Sequence, residues 1–478
     1  MVEALLDVLI RERHEVPSPQ LYLALILANT SPHGSPEEVS KLLQEMEESG
    51  IILDSAMYHA ILKVLAMHPS YTFRSEILHE MLHQRWFTLS NDGWHDFVAG
   101  LIKDRQLEMA LDKFEQMNVE GIRIQPWLHD IMVYVLCEAE EIDEALKIMR
   151  QRTSNGEMMI SATLWYSFLD AASRALHLEA TLYAWRKRVE SGYLNPPSGI
   201  CLNVLATASR HGNFRLATDV FRILGNRTYT FQLHHYEALL EAYINGYDLR
   251  SALTLLCVMY SSGVPPTESS TCALFIYLRQ KPFWPTKAFQ ILKELKDSKR
   301  DIPTPAVNCI IEACVHQNDL SQAIEHYKNL HALCSAGPTT ATFNALLRGC
   351  SQAARKDLAM FLASEMLALN VPPDALTYDR LILVCLDADA SYDTCNTDTG
   401  YKDALRYLAE MKGMGWFLRR GTVVALVKRC CEVGDDMAWE LLGEMERRGM
   451  DVPGLEAWLE KNWTGGEGAK ARRLAKMA

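Results

Sequence analysis

The chain has 478 residues, 49% of them hydrophobic, and 48 Lys and Arg against 60 Asp and Glu give a formal net charge of −12. This length exceeds that of a single ordinary domain, so the chain is either several domains or one extended array. The acidic balance argues against a protein that holds nucleic acid by bulk charge, although a local basic stripe is compatible with it.

Hydropathy and cysteine usage narrow the class of protein further. No stretch of eighteen uninterrupted apolar residues occurs, so we expect no membrane span. The twelve cysteines are scattered and form no Cys-x-x-Cys pair. That pattern is typical of reduced, mostly buried thiols in an intracellular protein.

The N-terminal segment reads "MVEALLDVLIRERHEVPSP". It is too charged for a secretory signal peptide and too acidic for a typical transit peptide, so no targeting peptide is visible. A helical pattern followed by a Pro-containing exit predicts the second helix of a partial N-terminal repeat over residues 1–18. We therefore expect the numbering to begin inside a longer protein.

A phrase recurs along the chain: Met or Leu, usually Gly four residues later, an apolar residue and a short exit, as in "EMEESGIILD" and "EMLALNVPPD". If each unit begins just after its exit, the first ten intervals between units are all 35 or 36 residues. The eleventh is 45, and its excess lies in "DADASYDTCNTDTG", which predicts an insertion at about 388–400. The predicted starts are residues 19, 55, 91, 126, 162, 198, 233, 268, 304, 340, 375 and 420.

Each unit has the pattern of two amphipathic helices. In "YEALLEAYINGYDLRSALTLLCVMYSSG", residues 236–263, apolar side chains repeat at helical spacing, break at Asn245-Gly246 and then resume. One such pair cannot bury its apolar faces alone, so the pairs must stack. The sequence predicts an all-α fold: a right-handed superhelical α-solenoid of about twelve helix-turn-helix repeats of 35–36 residues, covering residues 19–453.

The repeat stops after residue 453. The stretch "GLEAWLEKNW" predicts a helix that caps the last unit, which a solenoid needs to cover its open apolar end. The following "TGGEGAKARRLAKMA" is a basic tail. We therefore expect residues 454–478 to be a capping helix and a tail that is either solvated or in contact with RNA or an acidic partner.

A hairpin of about 35 residues with an early Tyr, a central Gly turn, an Ala, and Met-x-x-x-Gly followed by Pro-Asp resembles the pentatricopeptide repeat family. The unit "TATFNALLRGCSQAARKDLAMFLASEMLALNVPPD", residues 340–374, is among the better matches. The resemblance covers residues 1–453 and is to the P-type of the family, without a visible catalytic C-terminal domain. Tetratricopeptide repeats expect a period of 34 and a Trp-x-x-Leu-Gly-x-x-Tyr pattern, which does not occur here.

The resemblance implies a non-enzymatic protein that recognises single-stranded RNA, either mRNA or rRNA, in an organelle. It implies location in the mitochondrial matrix, and neither a cofactor nor a small-molecule substrate. In the family, the fifth and last residues of a unit read the base edge, and second-position side chains of adjacent units pack against the base. Carried over here, Asn344 and Asp374 form the standard pair associated with uracil, with Ala341 and Leu376 as stacking partners.

Asn308 with Thr339, one unit earlier, is a looser reading pair under the same resemblance. Elsewhere, apolar or acidic residues at fifth positions depart from the family pattern, and Asp379 with Arg419 is not a familiar pair. We therefore expect a degenerate code in which at most a few nucleotides are read near residues 304–376.

The family often has a basic residue near position thirteen that faces RNA phosphate. An acidic total with only partial retention of these basic residues fits weak or partner-assisted RNA contact in organellar RNA metabolism or translation. It fits equally the alternative of a protein-binding scaffold, a component or assembly factor of a large organellar complex such as the mitochondrial ribosome. The basic candidates are Lys103, Arg174 and Arg210, with His316 also possible, whereas Glu138 and Asp387 oppose them.

The stretch "HEMLH", His79 to His83, matches the zincin pattern, in which two imidazoles bind zinc and Glu80 acts as a base. The segment falls where every other unit has its second helix, and Met81 occupies the methionine position of the repeat. No downstream third ligand is distinguishable. The sequence therefore favours a structural helix, with no metal site and no catalytic residue.

Overall fold

The computed structural model is all-α over the residues that it describes, in which 25 α-helices and no strand occur. The helices form twelve antiparallel hairpins and one final helix, which confirms the predicted all-α repeat fold. Compactness divides the chain into two units, one ending at Thr207 and the other beginning at Ala208. The described residues are 18–154, 160–227, 229–391, 398–449 and 454–463.

The first unit contains five hairpins and most of the first helix of a sixth. Helices α4 and α10 each continue into a π-helical turn, at Glu80–Gln84 and Trp185–Val189. The helices are α1 (Pro19–Ala28), α2 (Pro36–Glu48), α3 (Ser55–Met67), α4 (Tyr71–His79), α5 (Asn91–Lys103), α6 (Leu107–Val119), α7 (Pro126–Glu138), α8 (Ile142–Ser154), α9 (Ala162–Arg174), α10 (Leu178–Ala184) and α11 (Ser198–Arg210).

The second unit contains the remaining hairpins, from the last residues of α11 onwards. Its helices are α12 (Phe214–Asn226), α13 (Leu233–Asn245), α14 (Leu249–Ser261), α15 (Cys272–Leu278), α16 (Phe283–Asp297), α17 (Thr304–His316), α18 (Leu320–Leu333), α19 (Thr340–Gln352), α20 (Lys356–Ala368), α21 (Ala375–Ser391), α22 (Asp398–Gly413), α23 (Arg420–Val433), α24 (Met437–Arg447) and α25 (Leu455–Asn462).

Eleven of the twelve first helices begin at the residue predicted from the repeat period, and the exception is the hairpin predicted to start at residue 268. There Glu268–Thr271 is a turn, and α15 begins only at Cys272. Thr267 and Ser270 bond each other's backbone N–H groups through their hydroxyls, at 3.3 and 3.1 Å. These side-chain bonds offer the backbone a partner other than the helix, which explains the late start.

Glycine ends many of the second helices because the chain there turns in the left-handed region. Gly50, Gly121, Gly192 and Gly263 have φ between 71° and 78°. At Gly50 the following Ile51 N–H reaches back to the carbonyl of Met46 at 2.9 Å, which satisfies one of the terminal carbonyls of the helix.

The repeated apolar positions form the core of each hairpin. The methionine four residues before the glycine is at most 2% exposed in the hairpins that carry it, and the small residue near the start of the second helix is fully buried. A small side chain at this position lets neighbouring helices approach closely. The methionines are Met46, Met81, Met117, Met259, Met366, Met411 and Met445, and the alanines are Ala110, Ala145, Ala217, Ala252 and Ala323.

Side chains near the turn inside a hairpin bond the last carbonyls of the preceding first helix. Asn245 Nδ2 donates to the carbonyl of Ser209 at 3.0 Å, and Gln317 Nε2 donates to that of Leu278 at 3.1 Å. These contacts satisfy helix carbonyls that have no partner within their own helix. They connect each hairpin to its sequence neighbour.

The C-terminal helix α25 covers the end of the last hairpin with its buried Leu455 and Leu459. The predicted basic tail and the predicted N-terminal helix over residues 1–17 lie outside the described residues. In the region of the predicted insertion, α21 extends to Ser391 and α22 begins at Asp398, and the residues between them are also outside. No described helix has the length and apolarity needed to cross a membrane. All the described cysteines are free, and all except Cys272 are buried.

Candidate functional site

A groove of about 710 Å³ opens in the second unit along the first helices of three consecutive hairpins, α17, α19 and α21. Its wall also includes the turn before α15. The structure brings all six residues of the two predicted reading pairs and their stacking partners to this one groove. They are Asn308, Thr339, Ala341, Asn344, Asp374 and Leu376.

The Asn344 amide is held in one orientation by its neighbours. Its Nδ2 donates to the Asp374 carboxylate at 3.1 and 3.3 Å, and its Oδ1 accepts from the Thr377 hydroxyl at 2.8 Å. Thr377 Oγ1 also accepts the N–H of Asp374 at 3.1 Å. Because Oδ1 is occupied, the amide presents an N–H donor beside the acceptor oxygens of Asp374.

The Asp374 carboxylate stays ionised to lower pH than a free one. Burial alone raises the pKa of Asp374, but hydrogen bonds from the Thr377 backbone and side chain and from the Asn344 amide outweigh it, so the pKa lies below its ordinary value. The carboxylate is therefore a fixed hydrogen-bond acceptor near neutral pH.

Asn308 repeats this arrangement one hairpin earlier. Its Nδ2 donates to Thr339 Oγ1 at 3.0 Å, and its Oδ1 accepts from the Thr342 hydroxyl at 2.6 Å. Thr342 Oγ1 accepts the N–H of Thr339 at 2.9 Å. Thr342 and Thr377 thus play the same part three residues after the last residue of their units. Neither was singled out from the sequence, although the spacing last-x-x-Thr is visible there.

The groove carries both signs of charge. Glu268 and Glu312 line it together with Arg348 and Arg380. Burial raises the pKa of Glu268, with a further contribution from the Glu312 and Asp374 carboxylates, and Glu268 also hydrogen bonds the Asn308 side chain, which acts in the opposite direction. An anionic ligand would meet both attraction from the arginines and repulsion from the carboxylates.

Arg380 is the cation most enclosed by the groove. Burial and the neighbouring guanidinium groups of Arg348 and Arg419 lower the pKa of Arg380. Its Nε is buried and has no hydrogen-bond partner among the described residues. Three arginines that depress one another in this way form a local site for an anion, and sequence reasoning missed it because they come from three different hairpins.

A second cavity of about 230 Å³ adjoins the groove and shares Leu376 and Arg380 with it. Its polar wall is the pair Asp379 and Arg419. Asp379 Oδ1 accepts the backbone N–H of Arg419 at 3.2 Å, and Arg419 Nε lies 3.6 Å from Oδ2. This pair had no reading role in the sequence prediction.

The three basic residues predicted to face phosphate lie outside both cavities. Lys103 Nζ donates to the carbonyl of Met67 at 3.0 Å, at the end of α3. Arg174 Nε pairs with Asp170 at 3.1 Å on its own helix. Arg210 is exposed at the end of α11.

In the first unit, histidine occupies the fifth position of two hairpins and binds the backbone of the exit segment. His59 Nε2 accepts the N–H of Ser90, and His95 Nε2 accepts that of Gln125, both at 2.9 Å. The other ring nitrogen of each faces a carbonyl one turn earlier on its helix. The fifth position there connects a helix to its exit segment and resembles the asparagine networks in place only.

The His79–His83 segment straddles the junction of α4 with its π-helical turn. The two rings are exposed, with centroids 5.1 Å apart, and Met81 is fully buried in the hairpin core. Glu80 accepts the Tyr58 hydroxyl at 2.6 Å and lies 3.8 Å from Arg85 Nε. Within the described ranges, no group of three or more His, Cys, Asp or Glu side chains could hold a metal ion.

Comparisons with known proteins agree with the hairpin architecture. A family model described as a pentatricopeptide repeat-containing protein matches residues 198–330, and one described as the PPR repeat matches residues 31–51. A mitochondrial pentatricopeptide repeat-containing protein of Arabidopsis thaliana is 23% identical over 461 residues, covering 88% of this chain and 70% of the relative.

Solved structures of the same kind are similar at low sequence identity. The maize pentatricopeptide repeat protein PPR10 is 15% identical with a TM-score of 0.33, over 96% of this chain and 72% of that one. PPR10 in complex with an 18-nt psaJ RNA element is 16% identical with a TM-score of 0.34, over 96% and 73%.

The period of 35–36 residues, the paired helices that begin in register with it and the two family-model matches have one explanation. The chain belongs to the pentatricopeptide repeat family.

Proposed function

We propose that this chain is a non-enzymatic, RNA-binding adaptor of mitochondrial RNA metabolism or translation. Single-stranded RNA would lie in the groove along α17, α19 and α21. The observation that carries the proposal is the network of Asn344, Asp374 and Thr377, because it fixes one donor and one acceptor side by side at the groove wall.

This pattern of donor and acceptor is complementary to uracil. The Asn344 N–H would donate to a uracil carbonyl, and Asp374 would accept the N3–H. Asn308 with the Thr339 hydroxyl offers one donor and one group that can donate or accept, which suits either pyrimidine. We therefore propose a short reading frame of two adjacent pyrimidines.

The arginines would supply the backbone contact that reading requires. Arg348 is about one third exposed and lies 3.7 Å from Glu312, and Arg380 lies where the groove meets the second cavity. Phosphate contacts provide affinity that falls with salt, whereas base contacts provide selectivity. The name of the Arabidopsis relative, which includes the word mitochondrial, supports the proposed location.

The test is binding of short RNAs with two central pyrimidines in an adenosine background. Replacing Asn344 and Asp374 by alanine removes one base contact, so affinity for the uridine-containing RNA should fall about tenfold to a hundredfold while affinity for all-adenosine RNA stays the same. Asn329→Ala is the matched control, because Asn329 is exposed on α18 and does not line the groove. RNA binding that is insensitive to salt and to both substitutions would overturn the proposal.

A scaffold function is the second candidate, and the exposed apolar face of α7 in the first unit favours it. Trp127, Ile131 and Tyr134 are 39%, 41% and 47% exposed and follow one another at helical spacing. A stoichiometric protein partner that survives nuclease treatment and is lost with Ile131→Glu would support this candidate. An isolated chain loaded with RNA would count against it.

A further inference from the structure

We propose that Arg419, oriented by Asp379, recognises the Hoogsteen edge of a guanine next to the nucleotide read by Asn344 and Asp374. The inference rests on the proposed function, since it requires RNA in the groove. It adds a third base-specific contact at a pair of residues that the repeat pattern leaves without a role.

The Asp379–Arg419 pair occupies the same place in its hairpin as the two reading pairs do in theirs. Asp379 is on the first helix and 2% exposed, as Asn344 is at 7%. Arg419, like Asp374, is the residue before the next first helix. Thr422 is buried three residues further on and hydrogen bonds Asp379, as Thr377 does Asn344.

Asp379 fixes the base of the Arg419 side chain and leaves its end free. The carboxylate accepts the Arg419 backbone N–H at 3.2 Å and lies 3.6 Å from Nε, while 65% of the Arg419 side chain is exposed. Asp379 is therefore a positioning residue. The two terminal nitrogens of the guanidinium remain as a planar pair of donors at the cavity mouth.

The cavity at this pair continues the groove. Leu376 lines both spaces, so one face of Leu376 would contact the base read by Asn344 and its other side the base read by Arg419. Arg380 also lines both, at the position where the phosphate between two such nucleotides would lie. The two bases are therefore successive in one strand.

The cavity has room for a purine because Gly421 forms its far wall. The corresponding residues of the two preceding hairpins are Ala341 and Leu376, which carry side chains into the groove. At Gly421 a Cβ atom would meet nothing within 4 Å, so the space beside it is open. The larger ring system fits on this side of Leu376.

The donor pair of Arg419 selects guanine among the four bases. Guanine offers the acceptors O6 and N7 side by side, which match a bidentate guanidinium. Adenine offers N7 beside an amino group, which would oppose one of the two donors, and pyrimidines lack N7. A contact of this kind discriminates by about tenfold to a hundredfold.

The experiment uses the full chain and RNAs of twelve nucleotides in which one central uridine is fixed in an adenosine background. The nucleotide on either side is changed in turn to guanosine, inosine or 7-deazaguanosine. We expect guanosine and inosine on one side of the uridine to raise affinity about tenfold or more over adenosine. We expect 7-deazaguanosine to abolish the gain, because it lacks N7.

Variants separate reading from charge and from structure. Arg419→Lys keeps the charge and loses the planar donor pair, so it should lose the preference for guanosine over adenosine and keep the salt dependence. Asp379→Asn should reduce the same preference. Arg406→Ala is the control, since Arg406 is exposed on α22 and lines neither cavity.

The readout is the ratio of two affinities, which a general loss of stability does not change. Preference for uridine with no preference for guanosine, or a guanosine preference that Arg419→Lys retains, would overturn this inference alone. Loss with inosine but not with 7-deazaguanosine would also overturn it, because the contact would then be to the Watson–Crick edge. Absence of any uridine preference would instead overturn the proposed function.

Discussion

The most direct test of the folded core concerns His326 on α18 in the second unit. The ring is 4% exposed, stacks on Phe289 with ring centroids 4.1 Å apart, and neither ring nitrogen has a hydrogen-bond partner among the described residues. Burial lowers the pKa of His326 to about 4, and the nearby Lys293 acts in the same direction, whereas Glu325 and Asp319 oppose it.

The sign of the pH effect follows from where the proton binds. A histidine in the unfolded chain has a pKa of about 6.5, so the unfolded state takes up a proton there before the folded state does. The stabilising contribution is complete above pH 6.5 and is lost as the pH falls towards about 4. Each pH unit in this window costs about 1.4 kcal/mol, so about 2 kcal/mol is lost between pH 6.5 and pH 5.

The perturbation is His326→Phe, which keeps an aromatic ring against Phe289 and removes the proton. Urea unfolding followed by circular dichroism at pH 7.5 and pH 5.0 gives the free energy of unfolding for both proteins. We expect the variant to gain about 2 kcal/mol relative to the original chain on going to pH 5.0. His331→Gln, an exposed histidine on the same helix, is the control. Equal pH dependence of the original chain and His326→Phe would refute the reasoning.

Three further predictions concern turns, buried charge and the groove. Gly212→Ala should lower the free energy of unfolding by about 2 kcal/mol or more, because φ is 67° and a Cβ would lie 2.6 Å from backbone at the end of α13, whereas Gly225→Ala, with open space, should have little effect. Asp104→Ala should cost about 3–5 kcal/mol in urea unfolding, since it leaves the 1% exposed Arg74 guanidinium without its counter-ion; equal stability of the variant would contradict this, and adding Arg74→Met should restore part of the loss. Glu268→Gln should strengthen RNA binding in a filter assay at low salt by removing a carboxylate beside Asn308, and weaker binding would contradict the charge argument.

The repeat period was predictable because it is written in local chemistry. Glycines in the left-handed region, buried methionines and side-chain caps such as Asp54, which accepts the N–H of Met57 at 2.8 Å, mark helix ends within a few residues of chain. Each signal recurs every 35 or 36 residues, so an error in one unit is corrected by the others. The one late start, at Cys272, follows from hydroxyls whose competing bonds the pattern did not weigh.

The candidate site was predictable only where residues matched a family pattern. Asn344 and Asp374 were placed by their positions in the unit, and the structure adds Thr377, which fixes the amide. Arg348 and Arg380 come from different hairpins, so their meeting depends on how the hairpins stack. Spacing along one unit carries no information about such contacts, and a role for Lys103 at the end of α3 was hidden for the same reason.

The bonds that run from a turn to the preceding helix have a consequence for how such a chain changes over time. Asn245 and Gln317 reach only the adjacent hairpin, so each module depends on its two neighbours and on nothing more distant. Duplication or loss of one whole module keeps every bond of this type intact, whereas gain or loss of half a module breaks two. Copy number can therefore vary in steps of one hairpin, and the length of RNA covered can vary with it while each reading site stays as it was.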